Sequence, residues 1–132
     1  MSYLLDTHTF LWVMTSPEKL SQSARAAIAD ASSEVCLSSV TLWEISLKFA
    51  LGKLAIKNGV PEDLLASAAE MGLTKIVLSL EEAASAHRLP RVAHRDPFDR
   101  MLAWQAIQRK LVLITKDGDL PAYREAGLKT LW

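Results

Sequence analysis

The chain has 132 residues, half of them hydrophobic, and its 15 basic side chains balance its 15 acidic ones. This length is typical of one domain that buries roughly two thirds of its unfolded surface, so we expect a single domain over residues 1–132. The composition and the absence of repeats exclude disordered and repeat proteins. The net charge of zero gives no global basic surface for nucleic acid. No apolar run reaches the roughly 20 residues that span a bilayer, and the single cysteine, Cys36, cannot form an internal disulfide. We therefore expect a cytoplasmic protein that does not cross a membrane.

In the first half of the chain, short apolar runs predict strands, and apolar residues at helical spacing predict helices. Ser39 or Thr41 can cap the helix that carries Glu44, and Gly52 ends it. Residues 53–57 alternate as in a strand but form only a short run. The elements predicted before these are a strand at Tyr3–Leu5, helices at Thr7–Thr15 and Ser21–Asp30, and a strand at Glu34–Ser38.

In the second half, helix starts and stops are well marked. Ser79 and Glu82 form a capping-box pattern, and Asp96 followed by Pro97 is typical of a helix start. Leu111–Ile114 is a continuous apolar run, as found where a strand is covered on both faces of a parallel sheet. The elements predicted here are helices at Pro61–Met71, from Ser79 to about Arg88, and from Asp96 to about Lys110, a helical turn at Ala122–Glu125, and strands at Lys75–Leu78, Leu111–Ile114 and Leu128–Trp132. Alternating strands and helices predict an α/β fold with helices on both faces of a parallel sheet.

Acidic residues follow two of the predicted strands. Asp6 follows the first strand, and Asp117 follows Leu111–Ile114. In open α/β sheets, ligands bind beyond the carboxyl ends of the strands. Asp99 near a helix start and Glu44 can join them. Such carboxylates are the hard oxygen ligands that suit Mg²⁺ or Mn²⁺, and the site could activate a water for phosphodiester hydrolysis.

Glu44 is the least expected of these acids. It lies on an apolar helical stripe, where an ionisable side chain is costly unless it is paired or binds a cation. The apolar members of this stripe are Val40, Leu47 and Leu51.

Each acid also has a structural role that requires no metal. Asp6 could cap a helix, and Glu44 could pair with Lys48 four residues later. Asp99 could stabilise the helix dipole, and Asp117 with Gly118 is an ordinary turn signal. These alternatives remain open from the residues alone.

Two further groups of residues lie near the predicted site. Trp12 and Trp43 flank Asp6 and Glu44, and could line a groove or a subunit contact instead of the core. A segment rich in basic residues is equally well explained as a solvated surface. Its members are His87, Arg88, Arg91, His94, Arg95 and Arg100.

Four short motifs occur in order along nearly the whole chain. They are Leu5-Asp6-Thr7, then Trp43-Glu44-Ile45 with Lys48 and Gly52-Lys53-Leu54, then Phe98-Asp99-Arg100-Met101-Leu102-Ala103, and finally Thr115-Lys116-Asp117. In this order they resemble the PIN-domain ribonucleases, particularly the VapC toxins of prokaryotic toxin–antitoxin pairs.

The resemblance implies a three-layer α/β/α sandwich around a parallel sheet and an endoribonuclease that depends on Mg²⁺ or Mn²⁺. It also implies an RNA substrate, a homodimer, and inhibition by a cognate antitoxin. We expect the metal to hold the water that attacks the RNA. The catalytic metal ligands implied are Asp6, Glu44, Asp99 and Asp117, with Asp96 and Asp119 as alternates, although Asp119 is also placed to cap the turn at Leu120-Pro121.

Other functions fit the residues less well. A haloacid-dehalogenase-type phosphatase would have an Asp-x-Asp motif after its first strand, but the residue two positions after Asp6 is His8. A phosphoacceptor signalling domain could use Lys116, but it needs an aspartate after a central strand, where this chain has Ser38 or Ser79. A non-catalytic binding module with the PIN-like fold is the third alternative.

Overall fold

The computed structural model describes residues 1–91 and 96–132, and over these it contains one sheet of five parallel strands. The strands are β1 (Ser2–Leu5), β2 (Glu34–Ser38), β3 (Thr74–Ile76), β4 (Val112–Ile114) and β5 (Lys129–Leu131). They lie in the order β3-β2-β1-β4-β5. The predicted parallel sheet is confirmed. Two members of the predicted basic segment, His94 and Arg95, lie outside the described residues.

Helices cover both faces of the sheet, which confirms the three-layer α/β/α architecture. Successive residues of a strand face opposite sides, and Tyr3 and Leu5 pack into one core while Leu4 packs into the other. The helix bounds are α1 (Thr7–Thr15), α2 (Gln22–Ala29), α3 (Ser39–Ala50), α4 (Pro61–Glu70), α5 (Leu80–Ser85) and α6 (Pro97–Arg109). The first core includes residues of α1, α2 and α4, and the second includes residues of α6. Among the helices described here, none has the length and apolar character needed to cross a membrane.

The chain changes direction across the sheet beside β1. It runs from β1 to β2 and β3 on one side, and then crosses to β4 and β5 on the other. At the end of β1, the backbone N–H of Asp6 donates to the carbonyl of Ile114 at 3.2 Å, and the Thr9 hydroxyl donates to the same carbonyl at 2.9 Å. The carboxyl ends of β1 and β4 therefore form the topological switch point, where α/β proteins bind ligands.

Several local predictions were wrong in detail. The α3 cap is Ser38, whose hydroxyl accepts from the N–H of Val40 at 3.1 Å, while the Ser39 hydroxyl accepts from the N–H of Leu78. The helix begins earlier than predicted because β2 runs into it without a loop. Residues 53–57 form no strand, because Leu54 and Ile56 pack against the core without pairing to the sheet. The third strand is at Thr74–Ile76 instead of Lys75–Leu78, and the last one is shorter than Leu128–Trp132.

A buried polar network holds α5 against α6. The predicted capping box is present, with Ser79 and Glu82 each bonding the backbone N–H of the other. The Glu82 carboxylate also accepts from Arg109 Nε at 2.8 Å and Nη2 at 2.9 Å, and from the Gln105 amide at 3.4 Å. The hydrogen bonds from Arg109 lower the pKa of Glu82 to about 2, against the opposing effect of burial. Glu82 therefore stays ionised while it is buried.

We predict that Glu82→Gln lowers the free energy of unfolding at neutral pH by about 1–3 kcal/mol, because a charged pair is lost while the cap is retained. The folded-state pKa is about 2 and the ordinary value is 4.5. The stabilisation should therefore be complete above a pH of about 4.5 and disappear as pH falls towards 2. Denaturant unfolding at a series of pH values measures this. The control is Glu81→Gln, a substitution at the exposed neighbouring residue. Parallel pH profiles for wild type and Glu82→Gln would contradict the prediction.

Candidate functional site

A pocket of about 420 Å³ opens at the switch point. Three of the four predicted acids line it, each from a different part of the chain. Asp6 follows β1, Asp99 lies in the first turn of α6, and Asp117 follows β4. Glu44 does not line this pocket. Among the residues that the structure describes, the lining is Asp6, His8, Trp12, Asp99, Lys116 and Asp117.

Asp6 is both a helix cap and a pocket residue. It is buried, and its Oδ1 accepts from the backbone N–H of Thr9 at 2.8 Å. The structural alternative that the sequence left open for Asp6 is thus formed. The cap uses one carboxylate oxygen and holds the side chain in place, so the two roles are compatible.

Glu44 lies behind the pocket instead of in its wall. Its side chain is only 3% exposed, and its Oε1 accepts from the hydroxyl of Thr7 at 2.5 Å. Its other oxygen forms an ion pair with Lys48, as the i,i+4 alternative predicted. Because Thr7 directly follows Asp6, this hydrogen bond connects α3 to the pocket. The apolar stripe around Glu44 is only partly buried, because Leu47 and Leu51 are exposed.

Lys48 balances part of the negative charge of the site. Burial alone would lower the pKa of Lys48, but the hydrogen bond to Glu44 and the charges of Glu44, Asp96 and Asp99 together raise it. The ammonium group therefore stays protonated beside these carboxylates. A cation on the protein offsets the repulsion among them.

Asp99 in the third motif and Asp96 just before it lie in different positions relative to the pocket. Asp96 caps α6, and its Oδ1 accepts from the N–H groups of Phe98 and Asp99 at 2.9 and 3.0 Å. This confirms the predicted cap. Asp99 lines the pocket and Asp96 does not. The geometry therefore favours Asp99 over Asp96 as the acid that could reach a ligand.

The fourth motif is held by short local hydrogen bonds. The Thr115 hydroxyl accepts from the N–H of Asp117 at 3.0 Å, and Asp117 Oδ1 accepts from the N–H of Asp119 at 2.9 Å. Asp119 itself is exposed and is not a pocket residue. Asp119 is the N-cap residue of the helical turn Leu120–Ala126, as predicted, but its side chain makes no capping hydrogen bond, and its backbone carbonyl accepts from the N–H of Ala122.

The pocket suits a hydrated divalent ion in the chemistry of its donors. Over the two described ranges, no three Asp, Glu, His or Cys side chains lie close enough to hold a metal ion together. Mg²⁺ does not require such a cage, since it keeps several waters and binds through one or two carboxylates and the substrate phosphates. The oxygen donors that could supply these contacts are those of Asp6, Asp99 and Asp117.

Comparison with known proteins identifies the family. The sequence profile of the PIN domain matches residues 3–126. The chain belongs to the PIN domain family. It is 29% identical to Ribonuclease VapC22 of Mycobacterium tuberculosis (strain ATCC 25618 / H37Rv) over 134 aligned residues, which cover 98% of this chain and 97% of the relative.

Solved structures of low sequence identity share the fold of this PIN domain. VapBC2 from Rickettsia felis, bound to a DNA fragment from its promoter, has a TM-score of 0.70 at 17% identity and covers 99% of this chain and 98% of that one. DNA-bound VapBC from Salmonella typhimurium has a TM-score of 0.64 at 21% identity, with coverages of 99% and 97%.

Three pocket residues of this PIN domain were not predicted as part of the acidic site. His8 and Trp12 lie on one face of α1, four residues apart, and Lys116 precedes Asp117. For Trp12 the sequence left both the core and a groove open, and the side chain packs against the core and also lines the pocket. The i,i+4 spacing of His8 and Trp12 on a predicted helix was the signal that could have placed His8 beside Trp12.

Trp43 lies in a different place from Trp12. It packs edge-on against Phe98, with ring centroids 5.1 Å apart, beside a small apolar cleft of about 170 Å³. Arg100 of the basic segment has a structural role, because it donates to the Tyr123 hydroxyl at 2.8 Å and to the carbonyls of Leu89 and Pro90.

We predict that Asp96→Ala lowers the free energy of unfolding by about 0.5–2 kcal/mol, because two N–H groups of α6 lose their acceptor. Asp96→Asn and Asp96→Ser should remain close to wild type, since both residues cap helices well. Urea unfolding in the presence of chelator measures this without any contribution from metal. A loss in Asp96→Asn equal to that in Asp96→Ala would show that the charge, not the cap, stabilises the protein.

Proposed function

We propose that this protein is the toxin of a type II toxin–antitoxin pair and cleaves RNA in a reaction that depends on Mg²⁺ or Mn²⁺. The observation that carries the proposal is the convergence of Asp6, Asp99 and Asp117 at the switch point of a PIN-family chain. The similarity to a ribonuclease named VapC22 supports it, and so does the likeness to VapBC complexes. We also propose that residues 1–132 act as one PIN-like domain.

The chain's own residues prepare the pocket for this reaction. A bound Mg²⁺ or Mn²⁺ would neutralise charge on the phosphodiester and make a water more nucleophilic. The carboxylates of Asp6, Asp99 and Asp117 would bind it directly or through its waters, and each residue has a backbone that is already fixed by a cap or a turn. Glu44 is the fourth acid of the proposed set. It contributes through its hydrogen bond to Thr7, which directly follows Asp6. Preorganised groups of this kind need little rearrangement when substrate binds.

The phosphoacceptor alternative fits the contacts poorly. Ser38 is buried, caps α3 and donates to the Gln105 side chain at 2.5 Å. Ser79 caps α5. Neither hydroxyl is placed to accept a phosphoryl group. A non-catalytic PIN module would share the fold, so it is separated from the nuclease only by an activity measurement.

We predict that Asp99→Asn lowers the rate of RNA cleavage by at least about 10- to 100-fold, because a ligand of the proposed metal loses its charge. Asp96→Asn is the matched control, one helical turn away, and should keep activity. The measurement is cleavage of RNA by purified protein with Mg²⁺ or Mn²⁺, and with chelator added. Full activity in Asp99→Asn with loss in a folded Asp96→Asn would move the ligand to Asp96. No cleavage by wild type in either metal would contradict the nuclease proposal.

The toxin part of the proposal is tested in cells with the same variants. Expression of the wild-type chain should slow bacterial growth, and expression of Asp99→Asn should not. Co-expression of a small DNA-binding protein encoded beside this gene should restore growth, because it would be the cognate antitoxin. Equal growth with wild type and Asp99→Asn at matched protein levels argues against a toxin.

We further propose that the protein forms a homodimer through an apolar face of α3. Trp43, Leu47 and Leu51 are 64%, 41% and 59% exposed and lie four residues apart along the helix. Exposed Val77 and Leu80 follow β3, which is joined to α3 by the bond from the Leu78 N–H to Ser39. An exposed apolar surface of this kind marks a protein contact.

We predict that Leu47→Glu shifts the protein from dimer to monomer, because a charge would be buried at the contact. Leu65→Glu is the matched control, since Leu65 on α4 is 40% exposed, close to the 41% of Leu47. Sedimentation equilibrium or light scattering across a concentration series measures the change. A Leu47→Glu protein that dimerises as well as Leu65→Glu would exclude this face.

A further inference from the structure

We propose that Trp12 is a stacking platform for one RNA base next to the acidic pocket, and that Lys116 contacts a phosphate beside that base. This inference rests on the proposed ribonuclease function and adds to it a position at which the substrate is held. Both residues line the pocket that contains Asp6, Asp99 and Asp117.

The indole of Trp12 is held in place by its neighbours. Trp12 is half-buried and packs, together with Trp132, against the core on the α1 face of the sheet. Its ring centroid is 5.7 Å from that of Trp132 and 6.0 Å from that of His8, and both rings are tilted against it. A base that stacks on this side chain therefore meets a surface that is already ordered, so little conformational entropy is lost.

The charge around Trp12 suits a nucleotide. The Lys116 ammonium lies 5.7 Å from the centroid of the Trp12 ring and is exposed. The pocket thus combines carboxylates with an aromatic surface and a cation. Proteins that hold single-stranded RNA combine base stacking on aromatic rings with cations along the backbone. This local cation matters because the chain as a whole has no net positive charge.

An arginine from a protein partner is the competing occupant of the same surface. A guanidinium also stacks on tryptophan and is attracted to carboxylates. However, Lys116 lies over the ring and would repel a second cation, whereas it attracts a phosphate. The observed charges therefore favour a nucleotide at Trp12.

The test measures binding of a short fluorescent single-stranded RNA in Mg²⁺, with Asp99→Asn in every protein so that the RNA stays intact. Trp12→Leu should raise the Kd by about 5- to 150-fold, as expected for loss of one stacked base, and Trp12→Phe should raise it less. Leu65→Ala is the control, since this exposed apolar side chain on α4 lies outside both the pocket and the proposed dimer face, and it should leave the Kd unchanged. Lys116→Gln should reduce the slope of log Kd against log salt concentration by about 1, as expected for the loss of one phosphate contact.

A series of RNAs with one abasic nucleotide at each position identifies the base itself. One position should weaken binding to the Trp12 protein and have no effect on the Trp12→Leu protein, because that base no longer stacks. If Trp12→Leu does not fold, two measurements still test the inference. They are the Kd of Trp12→Phe and the abasic series on the protein that retains Trp12. Equal sensitivity at all positions would overturn the inference.

The possible failures are distinguishable. If wild type cleaves RNA with Mg²⁺ or Mn²⁺ while a folded Trp12→Leu protein keeps the same Kd and KM, the platform is excluded and the nuclease remains. If Trp12→Leu weakens binding only of the protein encoded by the neighbouring gene, the surface serves that partner and the inference is overturned. If wild type neither binds nor cleaves RNA, the proposed function itself fails and the platform fails with it.

Discussion

The pairing of β1 with β4 is the constraint on which the site depends. The carbonyl of Ile114 accepts from the Asp6 N–H at 3.2 Å and from the Thr9 hydroxyl at 2.9 Å, so one acceptor fixes both the end of β1 and the start of α1. A shift of one residue in this pairing would exchange the two faces of β1 and turn Leu5 away from its core. Core packing and site geometry therefore select the same register. The acids are placed by the sheet and not by flexible loops alone.

The protein stabilises its carboxylates in two different ways. Away from the pocket, the buried Glu82 pairs directly with Arg109, which joins α5 to α6 and keeps Glu82 ionised. At the pocket, Asp6 accepts from the backbone N–H of Thr9, and next to it the buried Glu44 accepts from Thr7 and pairs with Lys48. The first arrangement is typical of a structural ion pair. The second keeps negative charge beside a cavity, which is what a cation-binding site requires.

The parts of the structure that sequence predicted well depend on local signals. Asp96 and Pro97 mark the start of α6 within three residues, and short apolar runs mark the buried strands. Apart from small shifts at caps and strand ends, the errors concern contacts between distant segments. Whether Leu47 faces the core depends on what packs against α3, and Glu44 lies outside the pocket wall because its side chain meets Thr7 from another helix. The motif order predicted that the acids converge, but spacing along the chain could not predict which side chains reach the cavity.

The strand order has a consequence for how the protein is made. β1 is the first strand to leave the ribosome, yet it lies at the centre of the sheet, and β4 is the fourth of the five strands in the chain. Pairing between such distant segments must close a long loop before it is rewarded, which makes it slow to form. A nascent or truncated chain that ends before β4 has β1 with one open edge, which favours aggregation, and it always lacks Asp117. The pocket therefore forms only after β4 and the turn that carries Asp117 have been synthesised.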